Sequence, residues 1–519
     1  MLAEFANEPL TDFTVPADRQ AMGAALERAR GEFGRAWPLA IGGERVTTGA
    51  WIESFDPCQP DRVVGRVAAA DRGHAEHALN AAWQAFADWS RWTPAARAGV
   101  LLRAAALLRR QKHDFSATLV YEAAKTWVEA DADTAEAIDF LEFYAREALR
   151  LAETQPLTPV AGEHNELVYL PLGVGVVIPP WNFPLAIALG MTAAVLVGGN
   201  CVVLKPASLT PVIAARFVDL LEAAGLPPGV LTFLPGSGAE IGDFLVEHPR
   251  TRFIAFTGSR AVGTRLYERA ARVQPGQRWL KRVVAELGGK DAIVVDETAD
   301  LDAAAEGIVA SAYGFQGQKC SAASRAIVLG AVYADVVQRV AERTEALRLG
   351  PAEDPATQVA AVIDGGQYRT VLDYLDVGRR EGRLVLGGEP AREPDGSAGW
   401  YIQPTIIADV PEDARIAHEE IFGPVLSVLR ATDFAHALRV ANNTEYGLTG
   451  GVYARDRRRL EQARAEFAVG NLYFNRKITG ALVGAQPFGG FNLSGTDSKA
   501  GGRDYLQLFL QAKVTVERF

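Results

Sequence analysis

The sequence predicts an α/β protein in which a mostly parallel sheet with helices on both faces is followed along the chain by a second α/β unit. Three observations lead there. Short β-rich runs (GVGVVI, NCVVLKP, GVLTFLPG and RFIAFTGS) recur from residue 173 onward, separated by stretches long enough for a crossover helix. A second strand-rich set, DAIVVD, SRAIVLG, GRLVLGG, YIQPTIIADV, LSVLRA, TGGVYA and GNLYFN, runs from about residue 288 to 490. The 519 residues exceed what one hydrophobic core organises, so at least two domains are expected.

Composition removes several function classes. Hydrophobic residues make up 49% and charged residues 22%, the balance of a globular protein rather than a disordered or fibrous one. The formal net charge is −10 and no Lys or Arg run is long enough to track a phosphate backbone, so no nucleic-acid partner is expected. Cys58, Cys201 and Cys320 are too few and too scattered for a disulfide framework, which points to a reducing compartment. The N-terminal MLAEFANEPLTDF lacks the charged and apolar regions of a signal peptide, so a cytoplasmic location is expected.

Residues 74–150 are Ala-rich with apolar positions at helical spacing, as in HALNAAWQAFADW and GVLLRAAALLRRQ, and are predicted to be largely helical. His74 and His77 lie on one face there without a third ligand, and no metal is expected. A polar connector, ETQPLTPVAGEHNE, leads into the first strand. Leu167 to Leu204 holds no charged residue, yet Pro179, Pro180, Pro184 and the Gly198-Gly199-Asn200 turn break any span, so no membrane segment is expected. The stretch reads as strand, loop, buried helix, turn, strand. The tail YLQLFLQAKVTVERF ends in an alternation that suggests an edge strand.

In open parallel sheets ligands bind beyond the carboxyl ends of the strands. Pro-Trp-Asn-Phe follows the first run, Lys205-Pro-Ala-Ser the second, Pro235-Gly-Ser-Gly the third and Thr257-Gly-Ser the fourth. Three residues could carry chemistry. Cys320 lies in a Gly-containing polar turn beside Lys319, where a cation favours the thiolate. Glu286, at the end of an apolar run and before two glycines, is placed to act as a base. Asn182, in IPPWNFP, offers a side-chain amide to an oxyanion.

PWNFP, KPAS, FTGSRAVG, ELGGK, GQKCSA, EEIFGPV and PFGGFNLSG, spanning residues 179–495, stand in the order found in the aldehyde dehydrogenase superfamily, which the chain resembles. The resemblance implies that family's fold: a Rossmann-like cofactor domain, an α/β catalytic domain and a β-hairpin oligomerisation element. It implies Cys320 as the nucleophile that forms a thiohemiacetal, Asn182 and the Cys320 N–H as the oxyanion donors, and Glu286 as the base that activates water against the thioester. For the cofactor it implies Gly258, Ser259 and Gly263 at the pyrophosphate, where free N–H groups open a helix. Lys205 and Ser208 would face the adenine ribose, Trp181 the phosphates and Glu420 the nicotinamide ribose, with Pro180, Gly236, Thr257, Leu287 and Phe422 completing the set. There are only nine lysines against 44 arginines, which makes Lys205 less incidental. The implied cofactor is NAD. Ser208 stands where many NAD-preferring relatives carry Glu, which keeps NADP as the alternative.

Within the superfamily, SAYGFQGQKCSAASR and GNLYFNRKITGALVGAQPFGGFNLSGT resemble the L-glutamate γ-semialdehyde dehydrogenase branch. That implies oxidation of an amino-acid aldehyde in equilibrium with 1-pyrroline-5-carboxylate to glutamate, the second step of proline catabolism. Backbone N–H groups of Gly480 and Ala481 would receive the α-carboxylate, Ser321 and Lys319 would add donors, Phe183 and Phe488 would flank the carbon chain, and Glu136 would reach the pocket rim. The implied division is 1–152 with 173–287 for the cofactor, 288–495 for catalysis, and 153–172 with 496–519 for oligomerisation, as a homodimer or an assembly of dimers. Alternatives are another small aldehyde, a coenzyme-A-acylating or phosphorylating enzyme, a cofactor-independent cysteine hydrolase, and a non-catalytic binding protein.

Overall fold

The computed structural model describes residues 2–391 and 398–519 and contains two seven-stranded sheets. In the first, the order is Arg282–Glu286, Phe253–Thr257, Val174–Ile178, Cys201–Leu204, Leu231–Phe233, Leu39–Ile41 and Glu44–Val46. The first five run parallel, and Leu39–Ile41 joins antiparallel. Chain order turns back between Val174–Ile178 and Phe253–Thr257, the switch point where a ligand crevice forms. The loops leaving those two strands carry Pro180-Trp181-Asn182 and Gly258-Ser259.

The central strands are mostly apolar because helices cover both faces; every residue of Cys201–Leu204 and Phe253–Thr257 is buried. The helix Ala186–Val197 is buried on nearly every side, which explains the charge-free stretch from Leu167 to Leu204. No described helix is long and apolar enough to cross a membrane. The second sheet runs Arg383–Leu386, Thr405–Ala408, Val425–Ala431, Arg325–Leu329, Ala292–Val295, Thr449–Tyr453 and Asn471–Phe474, parallel except for its first pair. Apolar clusters pack on both of its faces.

Residues 72–151 form four helices, as predicted. Asp71 caps the first, and His74 completes that capping box, giving this histidine a structural partner. Five strands between Arg35 and Ala68, from three to ten residues long, were not anticipated from the sequence. Two of them, Leu39–Ile41 and Glu44–Val46, are three residues each around a turn at Gly42 and Gly43, too short to show a period of two.

Residues 153–172 hold one strand, Glu163–Pro171, rather than the hairpin expected there. It pairs antiparallel along its whole length with the C-terminal strand Leu510–Arg518, whose residues after Leu510 are all exposed. The local connector has no tight two-residue turn to fold back on itself, so the ribbon closes between distant segments. Residues just before it belong to the body: Tyr505, Leu506 and Phe509 are buried in the first core, and Asn200 donates to the Phe509 carbonyl.

Candidate active site

The helix Leu301–Tyr313 ends in a turn where Phe315, Gln316 and Gly317 all have positive φ, at 48°, 57° and 68°. Holding two non-glycine residues there costs about 1–3 kcal/mol each, so the surroundings must impose it. They do so through burial and hydrogen bonds. Phe315 packs beside Ala123 and Ile363. The Gln316 amide donates to the Ala124 and Ala361 carbonyls, and Gln318 accepts from the Ile363 N–H. A side chain at 317 would strike the Gly423 carbonyl at 2.3 Å, so glycine is required. The turn delivers Cys320 to a partly exposed position, and among the described residues its N–H has no acceptor. Asn182 Nδ2 donates to the Gln318 carbonyl at 3.0 Å. That bond fixes the amide plane and leaves a second N–H for an oxyanion.

Burial, reinforced by the carboxylates of Asp291, Glu420 and Glu286, pushes the Cys320 thiol well above its ordinary range, opposed by the Ser321 N–H. The expected help from Lys319 is absent. Its ammonium is drawn to Glu129 at 2.7 Å, so the adjacent position in sequence does not place its charge on the sulfur.

Glu286 ends the strand Arg282–Glu286. Its backbone is pinned by the Gly258 N–H and, one residue on, by the Leu287 N–H bonding the Ser494 carbonyl. Its Oε1 accepts the Ser498 hydroxyl, and Oε2 has no hydrogen-bond partner among the described residues. Burial raises its pKa to about 8. Such a carboxyl releases and takes up a proton near neutral pH, as a general base must. Gly489 makes room for it, since a Cβ there would lie 2.8 Å from Oε1.

The cofactor candidates gather around the switch point. Ser259 caps the helix Arg260–Ala271, and Gly263 lets that helix lie on Leu287, which a Cβ would meet at 2.2 Å. Thr257 ends its strand with its hydroxyl against Met191. Lys205 is buried with one long contact, 3.5 Å, to the Pro206 carbonyl, and burial lowers its pKa to about 8. A buried, nearly unpartnered ammonium fits the ribose hydroxyls of a nucleotide. A cleft of about 710 Å³ is lined by Ser208, Ser237, Glu240, Asp71, His74 and Thr48 among others. Gly236, one residue before Ser237, packs closely on Ile241 and the Ala70 carbonyl, leaving no room for a side chain. Trp181, which follows Pro180, meets Phe422 edge-on at 5.4 Å, and Phe422 has positive φ, 57°. Glu420 accepts the Gly289 N–H, and burial raises its pKa to about 7.

On the opposite side, Gly480 (φ 73°) and Ala481 expose N–H groups that have no acceptor among the described residues. Phe488 is held by a backbone bridge to Ala500. Ser321 is buried next to the nucleophile, and Phe183 lies 6.3 Å from Phe315. Glu136 is half-buried on the helix Trp127–Leu151, and desolvation with nearby Asp133 raises its pKa to about 8. Its neighbours on that helix differ: Asp139 anchors the N-terminal arm through Asn7 and Glu8. The sequence reasoning missed Lys125, Glu129, Asp133 and Ser498. Glu129, Asp133 and Glu136 fall at i, i+4 and i+7 on one helix face, a spacing that was available as a signal. Ser498 lies beyond the recognised motifs.

The aldehyde dehydrogenase family model matches residues 45–515, and the chain belongs to that family. Among its relatives, it is 60% identical to the 1-pyrroline-5-carboxylate dehydrogenase of Geobacillus thermodenitrificans and 56% identical to that of Bacillus subtilis, with both chains fully covered. A solved structure of 1-pyrroline-5-carboxylate dehydrogenase from Thermus with bound NAD matches at 56% identity and a TM-score of 0.98, again over the whole of both chains.

Proposed function

We propose that this enzyme oxidises L-glutamate γ-semialdehyde, in equilibrium with 1-pyrroline-5-carboxylate, to L-glutamate with reduction of NAD, the second step of proline catabolism. The observation that carries the chemistry is the grouping of Cys320, the Asn182 amide and the half-free Glu286 carboxylate at the ends of neighbouring strands and loops. Full-length similarity to 1-pyrroline-5-carboxylate dehydrogenases supports the substrate.

Cys320, which is partly open to solvent, gives its thiol proton to water as its sulfur attacks the aldehyde carbon, giving a thiohemiacetal oxyanion. The second Asn182 N–H and the Cys320 N–H receive the oxyanion. Bound NAD supplies the hydride acceptor. Glu286 then removes a proton from the water that hydrolyses the Cys320 thioester, and free glutamate leaves. Pro180, Trp181, Lys205, Ser208, Gly236, Thr257, Gly258, Ser259, Gly263, Leu287, Glu420 and Phe422 hold the cofactor. Gly480 and Ala481 receive the substrate carboxylate, with Ser321, Lys319 and Glu136 around the polar end and Phe183 and Phe488 along the chain.

The same reading assigns 1–152 and 173–287 to the cofactor domain and 288–495 to the catalytic domain. Segments 153–172 and 496–519 form an oligomerisation element whose exposed part is the two-stranded ribbon, in a cytoplasmic homodimer or assembly of dimers. The test is turnover of glutamate semialdehyde with NAD and no other acceptor, following reduced-nicotinamide absorbance and free glutamate. A strict need for coenzyme A or phosphate, or ester cleavage without any cofactor, overturns it. Parallel KM values for NAD and NADP decide the cofactor.

A further inference from the structure

Lys125 lies between two helices, Lys112–Ala123 and Trp127–Leu151, directly after Ala124 in the left-handed region (φ 50°). It is fully buried. Its Nζ is 3.3 Å from Asp133 Oδ2, 3.9 Å from the centre of the Phe183 ring and 4.1 Å from that of Phe315. Among the described residues no hydrogen bond satisfies that ammonium. Burial disfavours its charge and outweighs the attraction of Asp133 and, more weakly, Glu129, while Lys319 opposes the charge as well. Methionine would fill the same volume without that cost. The charge therefore does something that bulk does not.

The two rings belong to the two halves of the chemistry. Phe183 follows Asn182, and Phe315 begins the strained turn that ends at Cys320. Asp133 reaches the same place from the other side, its second oxygen accepting the N–H of Ala186, the first residue of the helix after the Asn182 loop. An ammonium between two aromatic faces is attracted to both ring quadrupoles, and more strongly when dry.

We propose that Lys125 is a positioning residue for the aldehyde pocket: its ammonium holds the Phe183 ring, the wall beside the oxyanion donor, against the Phe315 ring at the root of the nucleophile turn. The inference rests on the roles given above to Cys320, Asn182 and Phe183. A longer substrate that lies along Phe183 depends on that wall, whereas an aldehyde of two or three carbons does not reach it.

The test compares Lys125→Met, Lys125→Arg and the double variant Lys125→Met/Asp133→Asn, reading KM and kcat for glutamate semialdehyde and for a short aliphatic aldehyde, together with Tm. In Lys125→Met the KM for glutamate semialdehyde should rise about tenfold with kcat within about threefold, and the short aldehyde should change little. The double variant, free of both buried charges, should regain Tm without regaining KM, and Lys125→Arg should recover part of the KM. Should Lys125→Met not fold, the double variant carries the comparison. Recovery of both Tm and KM in the double variant, or an equal KM rise for both aldehydes, overturns the proposal and leaves a plain ion pair. The unmutated enzyme separates this from the substrate reading: no preference for glutamate semialdehyde there sinks that reading, while the variant-to-wild-type KM ratio on the longest aldehyde turned over still judges Lys125.

Discussion

Ser498 donates its hydroxyl to Oε1 of Glu286, while Oε2, buried as well, has no hydrogen-bond partner among the described residues, so one oxygen of the base is held and the other is not. Burial raises the Glu286 pKa to about 8, and the Ser498 bond favours the charged form and works against that rise. Because the base acts ionised, the rate of thioester hydrolysis should climb with pH through a limb near 8. Ser498→Ala removes a bond to the carboxylate, so the limb should move to higher pH with the plateau rate little changed. A limb that stays in place, measured where hydrolysis limits turnover, would take Ser498 out of the tuning of Glu286.

Glu286→Gln should leave cofactor binding and the first half-reaction intact while slowing hydrolysis. Stopped-flow mixing should then show a burst of reduced cofactor of about one per site. Cys320→Ala should abolish both burst and turnover, yet still bind NAD in a calorimeter. An unchanged steady-state rate in the glutamine variant would remove Glu286 from the mechanism.

Much of this site was legible because its residues each follow a parallel strand directly in sequence, and the carboxyl ends of those strands meet at the switch point. Asn182, Lys205, Gly258 and Glu286 each stand just past an apolar run, and the structure places them at the carboxyl ends of one sheet. Charge placement was less legible. Lys319 adjoins Cys320 in sequence, but its side chain points to Glu129, a partner 190 positions away that no local pattern links to it. Lys125 was invisible for a similar reason: a lone lysine between helices reads as solvated, and only packing shows two rings around it. The C-terminal strand was legible from its alternation, but its pairing with the 163–171 strand, more than 300 residues earlier, was not, because no local pattern links two segments that far apart.

The ribbon gives a prediction about assembly. Nearly all of Leu510–Arg518 is exposed in the single chain, including Val514 and Val516, and an apolar edge of this kind is an association surface. Deleting residues 510–519 removes that strand and spares Tyr505, Leu506 and Phe509, which belong to the core. Light scattering should then show loss of the native oligomer to monomers, with circular dichroism close to the parent. A truncated protein that keeps its native mass would place the interface elsewhere.

Substrate choice is the sharpest question for the Gly480–Ala481 turn. Its two N–H groups have no acceptor among the described residues, which is the arrangement an incoming carboxylate would complete. Ala481→Pro deletes one of those donors outright while adding little volume, because proline has no N–H. Losing one charge-assisted hydrogen bond should cost about 1.5–3 kcal/mol, or roughly ten- to 150-fold in kcat/KM toward glutamate semialdehyde. Propionaldehyde, which has no carboxylate, should be turned over nearly as before, and that control also reports whether the turn still folds. Equal losses on both aldehydes would make the turn structural, and the enzyme would then be an aldehyde dehydrogenase whose amino-acid substrate is recognised by other residues.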